Sequence, residues 1–299
     1  MKSKFQHILL AIVFLSITLI KPANAQAPNP GFTPKNGDHI ILLGNTFADR
    51  MRHYGYFEIV LQKSFPGKQL TMRNMGWSAD EVGLQPRPLN FPGFGEKTTR
   101  LTEGRKEVKF QGFTHEGERI IMPVALNFEG LNQDLYDQKA DMIFLCFGMN
   151  EAFKGPGGLP QFEKDLDAFI QNLQKNQYNG RSAPALVLVS PIAHEELGVN
   201  FPNPAEHNKN LELYTKAMQK MASVKGLFFI DLFAPSLAEM KQKGQEKLTI
   251  NGIHLTGTGY KLAAEWMGQS LGFGKMPDLN SENSKKLLAV IKMKDDHFF

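Results

Sequence analysis

The sequence has 299 residues, with 34 Lys and Arg against 30 Asp and Glu, and it contains a single cysteine. One cysteine excludes an internal disulfide and a cysteine-based metal site. Three of the basic residues, Lys2, Lys4 and Lys21, lie in the first 25 residues, and without them 31 basic face 30 acidic residues, which excludes an electrostatic basis for nucleic-acid binding.

Residues 1–25 have the pattern of a secretory signal peptide. A lysine-containing start precedes the apolar segment Ile8–Ile20, which is too short to span a bilayer comfortably. Ala23-Asn24-Ala25 then offers a small-x-small cleavage pattern, and the alternative is an uncleaved anchor. We expect an exported protein, periplasmic or extracellular, with no stable membrane span after cleavage.

Short apolar runs alternate with helical patterns along the rest of the chain. The predicted strands are His39–Leu43, Gln69–Arg73, Asp141–Phe147, Ala185–Val189 and Leu227–Leu232. The predicted helices are Phe47–Ser64, Gln161–Asn176, Asn208–Val224, Leu237–Lys243 and Tyr260–Leu271. This alternation predicts an α/β fold with a central parallel sheet.

We divide the chain accordingly into a flexible lead-in at 26–37, one domain at 38–273 and a C-terminal helical tail at 274–299. Residues 83–136 interrupt the alternation with clustered Pro and Gly, and we interpret them as an insertion. Within it, residues 108–122 alternate as a hairpin would. Long insertions in compact domains are usually functional or disordered, and we expect this one to border the functional site.

Candidate functional residues follow the predicted strands, where groups gather in parallel α/β sheets. Thr46, Gly76 and Asn150 follow the first three strands. His254 lies in the Gly- and Thr-rich stretch Leu248–Tyr260, just ahead of the last core helix. A histidine held by a rigid element yet open to solvent suits a general base, although a lone loop histidine is more often structural.

Four segments, taken in order, resemble the blocks of SGNH (GDSL-type) hydrolases. Gly44-Asn45-Thr46 resembles Gly-Asp-Ser, and Asn74-Met75-Gly76 resembles Asn-x-Gly. Gly148-Met149-Asn150-Glu151 resembles Gly-x-Asn-Asp, and the stretch from Asn251 to His254 resembles Asp-x-x-His. The resemblance implies a three-layer α/β/α sandwich, similar to flavodoxin, and ester hydrolysis.

The resemblance also implies roles for these positions. Thr46 stands at the nucleophile, His254 at the base and Asn251 at the aspartate that orients it, while Thr46, Gly76 and Asn150 would form the oxyanion hole. Four positions depart from the family pattern: Asn45, Glu151 and Asn251 replace aspartates, and Thr46 replaces the serine. Two of these departures matter for catalysis. The Thr46 methyl restricts χ1 and crowds the attack, and Asn251 brings no charge to stabilise an imidazolium.

Several alternatives stay open from sequence alone. Each block can be a plain turn or helix cap, since Asn and Thr both cap well. Ser78 is a possible substitute nucleophile. The carboxylates that could orient His254 in place of Asn251 are those of Asp80, Glu195, Glu196 and Glu206.

Two functions are therefore in competition. One is an exported esterase acting on a small acyl ester, such as an acetylated glycan, and the other is an impaired relative that binds a carbohydrate or acyl ligand without turnover. The chain has no dinucleotide or P-loop glycine motif, and His194-Glu195-Glu196 lacks the second histidine of a zinc helix. We expect no organic cofactor and no metal.

Overall fold

The computed structural model of the chain describes residues 31–82, 109–113, 119–123, 128–242 and 244–298. Its main sheet contains five parallel strands in the spatial order β2-β1-β5-β6-β7. These strands are β1 (His39–Gly44), β2 (Thr71–Asn74), β5 (Met142–Cys146), β6 (Ala185–Val189) and β7 (Phe228–Ile230). A separate antiparallel hairpin consists of β3 (Lys109–Phe113) and β4 (Arg119–Pro123).

Helices cover both faces of the sheet. They are α1 (Thr46–Met51), α2 (Tyr56–Ser64), α3 (Glu129–Asp137), α4 (Gly155–Lys175), α5 (Ala205–Lys225), α6 (Phe233–Met240), α7 (Gly257–Ser270) and α8 (Glu282–Phe298). α2 packs with α7 and α8, whereas α4 packs with α5. The predicted three-layer α/β/α sandwich is confirmed.

The centre of the sheet is fully apolar because β1 and β5 are covered on both faces. β1 pairs with β5 in parallel, with Ile40 opposite Met142 and Gly44 opposite Cys146. Residues 40–44 and 142–146 are all buried. This confirms the predicted parallel sheet, and it brings the carboxyl ends of the two strands to one edge.

The first predicted helix is in fact two helices. The periodicity of residues 47–64 suggested one helix, but Gly55 takes a left-handed conformation with φ 61° between α1 and α2. A Cβ at Gly55 would lie 2.9 Å from side-chain atoms of both Leu288 and Ile291 in α8. Glycine therefore breaks the helix and makes room for the C-terminal helix at the same point.

α4 also begins earlier than predicted. Its first six residues, Gly155–Pro160, have the composition of a loop, yet they are helical. Proline is tolerated near a helix start, where the backbone N–H groups have no intrahelical partner. The sequence signal for a loop was therefore misleading here.

The ends of the predicted domain pack against it. Phe32, within the lead-in predicted to be flexible, is buried and contacts the rings of Phe144, Phe228 and Phe273. In the tail, Ile291 of α8 is 4% exposed and belongs to the main core. Both segments thus add apolar surface to the domain core.

Most of the insertion predicted at 83–136 lies outside the described residues. Its hairpin is confirmed as the β3–β4 pair, and α3 near its end was not anticipated. Its position beside the functional site stays a prediction. Among the described residues, no helix combines the length and apolarity needed to cross a membrane.

Candidate active site

A small pocket opens at the carboxyl edge of the sheet, between the loops that follow β1, β5 and β6 and the loop before α7. It encloses about 20 Å³. Thr46, Asn150 and His254 all line it, so the structure brings three of the predicted site residues together. The remaining lining residues are Asn45, Phe47, Cys146, Phe147, Met149, Ser190, Pro191, Ile192 and Ile253.

Thr46 is presented by a sharp elbow between β1 and α1. At Gly44 a Cβ would lie 2.1 Å from the carbonyl oxygen of Cys146, so only glycine permits this approach of the two strands. Asn45 caps α1 by accepting the Phe47 N–H at 3.0 Å. Thr46 is then the first residue of the helix, and its Oγ1 accepts the Ala79 N–H at 2.9 Å.

The predicted oxyanion donor Gly76 is used differently. Its N–H donates to Asn74 Oδ1 at 2.8 Å, so this donor is occupied. A Cβ at Gly76 would lie 2.3 Å from the Asp49 backbone nitrogen, which explains the glycine by close packing against α1. Gly76 is also not among the residues that line the pocket.

The backbone N–H that contacts Thr46 belongs to Ala79 and not to Gly76. Ala79 adopts φ 61°, an uncommon conformation for a residue with a side chain, and this turn directs its N–H to Thr46 Oγ1. The donor is a backbone group, which any residue type other than proline can provide. No side-chain motif could therefore have located it, and the strained backbone is visible only in the structure.

Asn150 lines the same pocket as Thr46, and hydrogen bonds of Asn150 and of its neighbour Glu151 hold this loop. Asn150 Nδ2 donates to the Asp80 carbonyl at 2.9 Å, which ties it to the residue after Ala79. The carboxyl group of Glu151, 4% exposed, accepts the N–H groups of Val82 and Gly148, each at 2.9 Å. Burial raises the pKa of Glu151 to about 7, with the backbone hydrogen bonds opposing that rise.

His254 has Asn251 as its ring partner. Asn251 Nδ2 and His254 Nδ1 lie 2.9 Å apart. Asn251 Oδ1 accepts the backbone N–H of His254 at 3.0 Å and that of Ile253 at 3.4 Å. Burial, with a smaller contribution from the positive charge of Arg50, lowers the pKa of His254.

The alternatives left open by the sequence have other contacts. Ser78 Oγ donates to Asp49 Oδ2 at 2.5 Å, and this hydrogen bond argues against Ser78 as the nucleophile. Glu195 is 2% exposed and accepts the N–H groups of Leu248 and Thr249 and the hydroxyl of Thr249. Glu195 therefore fixes the start of the histidine loop.

Two further carboxylates contact other groups. Glu196 accepts the Gly198 N–H, and Glu206 pairs with Lys209 at 3.6 Å. Among the described residues, no cluster of three or more His, Cys, Asp and Glu side chains is arranged to hold a metal ion.

A buried histidine pair supports the loop that carries His254. Glu195 N donates to the Gly252 carbonyl at 2.8 Å, and a Cβ at Gly252 would lie 2.5 Å from His194 Nε2. His194 Nδ1 in turn lies 3.1 Å from His207 Nδ1, and the His207 ring stacks on Phe153. Both histidines are buried, and His194 lies directly against Gly252. The histidine pair therefore restricts the position of the turn at Gly252.

The protein family of the chain follows from a match to a family model. Residues 79–262 match the model of the GDSL-like Lipase/Acylhydrolase family, which is more than half of the sequence and includes Asn150 and His254. The chain belongs to this family. No curated protein sequence matches it significantly.

Solved structures of similar fold agree with this family assignment. An acetylxylan esterase from Geobacillus stearothermophilus is 15% identical, with a TM-score of 0.54, and the match covers 82% of this chain and 100% of the esterase. An α/β hydrolase from the metagenome of Lake Arreo is 14% identical, with a TM-score of 0.54, and the match covers 83% of this chain and 99% of that one.

A gut microbial diltiazem-metabolizing enzyme is also similar, at 16% identity and a TM-score of 0.53. The match covers 81% of this chain but only 48% of that enzyme, so this chain spans about half of its length. Further similar structures are catalytic mutants of the acetylxylan esterase, in which a serine, an aspartate or a histidine is replaced by alanine. That aspartate precedes the histidine by three positions, the same spacing as Asn251 and His254 here.

Proposed function

We propose that this member of the family is an exported hydrolase of small acyl esters, with Thr46 as nucleophile and His254 as general base. The observation that carries the proposal is the pocket shared by the Thr46 hydroxyl, the Asn150 amide and the His254 ring, with the Ala79 N–H bonded to the same hydroxyl. Export is supported by the signal-peptide pattern of residues 1–25.

The reaction follows from these groups. His254 Nε2 takes the proton from Thr46 Oγ1 as that oxygen attacks the acyl carbon, and the carbonyl oxygen becomes an oxyanion. Donors available for the oxyanion are the Thr46 N–H and the second N–H of the Asn150 amide, while the Ala79 N–H already donates to Thr46 Oγ1. Collapse expels the alcohol, which takes the proton from His254, and a water molecule then cleaves the acyl-enzyme by the same route.

The size of the pocket favours an acetyl group. A cavity of about 20 Å³ has room for one small group. Its lining by Phe147, Met149, Ile192 and Ile253 is apolar, as suits a methyl group. The fold shared with an acetylxylan esterase supports an acetylated glycan as the source of this ester.

The test is an acyl-length series on the purified mature protein. We expect p-nitrophenyl acetate to be hydrolysed about tenfold or more faster than the butyrate ester, because each methylene that does not fit costs binding energy in the transition state. Ile192→Ala should raise the butyrate-to-acetate ratio by enlarging the pocket. Acetate hydrolysis no faster in the wild-type protein than in His254→Ala would overturn the proposed function.

One observation favours the second candidate, a binding protein without turnover. Asn251 places an amide nitrogen, not a carboxylate oxygen, against the His254 ring. Calorimetric titration with acetylated xylo-oligosaccharides distinguishes the two candidates. Saturable binding with no acetate released over the experiment would favour the binding protein.

A further inference from the structure

The amide of Asn251 is held in one orientation by its neighbours. Its Oδ1 accepts two backbone N–H groups, that of His254 at 3.0 Å and that of Ile253 at 3.4 Å. Two donors that converge on one atom identify that atom as the carbonyl oxygen. A rotated amide would aim its NH₂ group at both donors and lose both hydrogen bonds.

This orientation of the amide determines which nitrogen of the His254 ring carries the proton. The remaining Asn251 atom is the NH₂ nitrogen, which can only donate, and it lies 2.9 Å from His254 Nδ1. Nδ1 must therefore accept, so it carries no proton. In a neutral imidazole the single proton is then on Nε2, the ring nitrogen left for the pocket.

We infer that Asn251 is a positioning residue that holds His254 in the Nε2–H tautomer and so represses hydrolysis at this site. The inference rests on the proposed function for its catalytic consequence, although the tautomer itself can be measured independently. A general base acting on Thr46 needs a lone pair on Nε2. The resting ring presents a hydrogen-bond donor there instead.

An aspartate at this position would have the opposite effect. One carboxylate oxygen would accept the two backbone N–H groups and the other would accept an Nδ1–H, which leaves the lone pair on Nε2. Asn251 thus does more than remove a charge. It replaces an acceptor with a donor at the one atom that selects the tautomer.

Protonation of the His254 ring does not make Nδ1 a suitable partner for the Asn251 amide. An imidazolium would aim an Nδ1–H at the Asn251 NH₂ group, donor against donor. Burial and the nearby charge of Arg50 also lower the pKa of His254, so the ring stays neutral near neutral pH. Turnover must then pass through the minor tautomer, and the rate falls in proportion to its population.

The decisive experiment measures the tautomer directly. In histidine-¹⁵N-labelled wild-type protein at pH 7.5, long-range ¹H–¹⁵N correlation should show His254 with an unprotonated Nδ1 and a protonated Nε2. In Asn251→Asp the two nitrogens should exchange roles. A wild-type spectrum with the proton on Nδ1 would overturn the inference, whatever the activity.

Hydrolysis rates of Asn251 variants provide a second test, in which a merely structural role of Asn251 predicts a different result. Asn251→Ala removes the donor, so p-nitrophenyl acetate hydrolysis should rise above wild type, and Asn251→Asp should raise it further, by up to about 10⁴-fold. If Asn251 helped to orient the base, Asn251→Ala would lower the rate, and that result in a variant with wild-type thermal unfolding would contradict the inference. Inactivity of every variant beside a wild-type Nε2–H spectrum would overturn the hydrolase proposal and leave the tautomer assignment standing.

Discussion

At the scale of single residues, Thr46 differs from the serine of the family pattern by one methyl group. The hydroxyl accepts the Ala79 N–H at 2.9 Å, which fixes the side-chain rotamer. A β-branched residue has few other rotamers, so the methyl group limits how the side chain can adjust to an incoming acyl carbon. As the proposed nucleophile, Thr46 therefore keeps the reacting hydroxyl but adds steric hindrance.

Thr46→Ser should relieve this hindrance without changing the reacting atom. We expect several-fold faster p-nitrophenyl acetate hydrolysis than in wild type, and a larger, non-additive gain when it is combined with Asn251→Asp, since both residues act on one catalytic unit. Adding His254→Ala should abolish the gain. A double variant that unfolds normally yet hydrolyses no acyl ester faster than His254→Ala would favour the binding protein.

At the scale of elements, the loop after β6 and the start of α5 are joined by the histidine pair. The backbone of His194 is held by Asn208, which donates to its carbonyl and accepts its N–H, both at 2.8 Å. His207 meets His194 on one side and the Phe153 ring on another. Burial and the neighbouring His194 lower the pKa of His207 to about 4, and burial lowers that of His194 as well.

This pair should make the fold sensitive to acid. An unfolded histidine titrates near pH 6.5. Between about 6.5 and 4 the unfolded chain binds more protons at His207 than the folded one, so the free energy of unfolding falls as the pH falls through this window. For His207 the loss is on the order of 3 kcal/mol when complete. The raised pKa of Glu151 acts with the opposite sign, since its contribution to stability falls as the pH rises from about 4.5 to about 7.

Comparison of variants separates the two effects. His207→Phe keeps an aromatic ring against Phe153 and removes the titrating group, so its unfolding free energy should fall less between pH 7 and pH 5 than that of wild type. Denaturant unfolding across this range is the measurement. His53→Phe, at an exposed position, is the matched control and should follow wild type. Parallel curves for wild type and His207→Phe would show that the pair does not titrate as argued.

At the scale of the whole molecule, the parallel direction of the strands could be predicted because the buried runs are short and continuous and alternate with helical patterns. Their spatial order in the sheet was not predicted. Thr46 and Asn150 could be placed near each other because they follow those strands, and the family resemblance added His254 to them. The break at Gly55 could not be predicted, since it depends on contact with Leu288 and Ile291, more than 200 residues away along the chain. Tertiary contact here decides a local feature.

The finer geometry of the site was beyond prediction for a related reason. The Ala79 N–H is a backbone group whose direction depends on one φ angle. The Asn251 amide could orient His254 in either of two ways, and two backbone N–H groups decide between them. Residue types locate the site, whereas hydrogen-bond directions determine what its groups can do.

The C-terminal helix is tied to the domain by an ion pair between partly exposed Lys294 and buried Glu58. Lys294 Nζ lies 2.5 Å from Glu58 Oε2 in α2 and 3.1 Å from the Met72 carbonyl of β2. Glu58 is 7% exposed, and burial raises its pKa while Lys294 opposes the rise. One side chain thus neutralises a buried carboxylate and joins α8 to both a helix and the edge strand.

Lys294→Met should therefore destabilise the whole domain, because it leaves a buried carboxylate and a carbonyl without their donor. We expect a loss of about 1–3 kcal/mol in the free energy of unfolding at pH 8. The loss should shrink toward pH 5, because without Lys294 the folded-state pKa of Glu58 rises further, and the penalty of a raised carboxyl pKa grows as the pH rises. Lys285→Met is the matched control on the same helix, where the exposed pair with Glu282 should contribute less than about 0.5 kcal/mol. Equal unfolding free energies for the two variants at pH 8 would show that the pair of Lys294 and Glu58 does not stabilise the attachment of α8, which would then rest on its other contacts, such as buried Ile291.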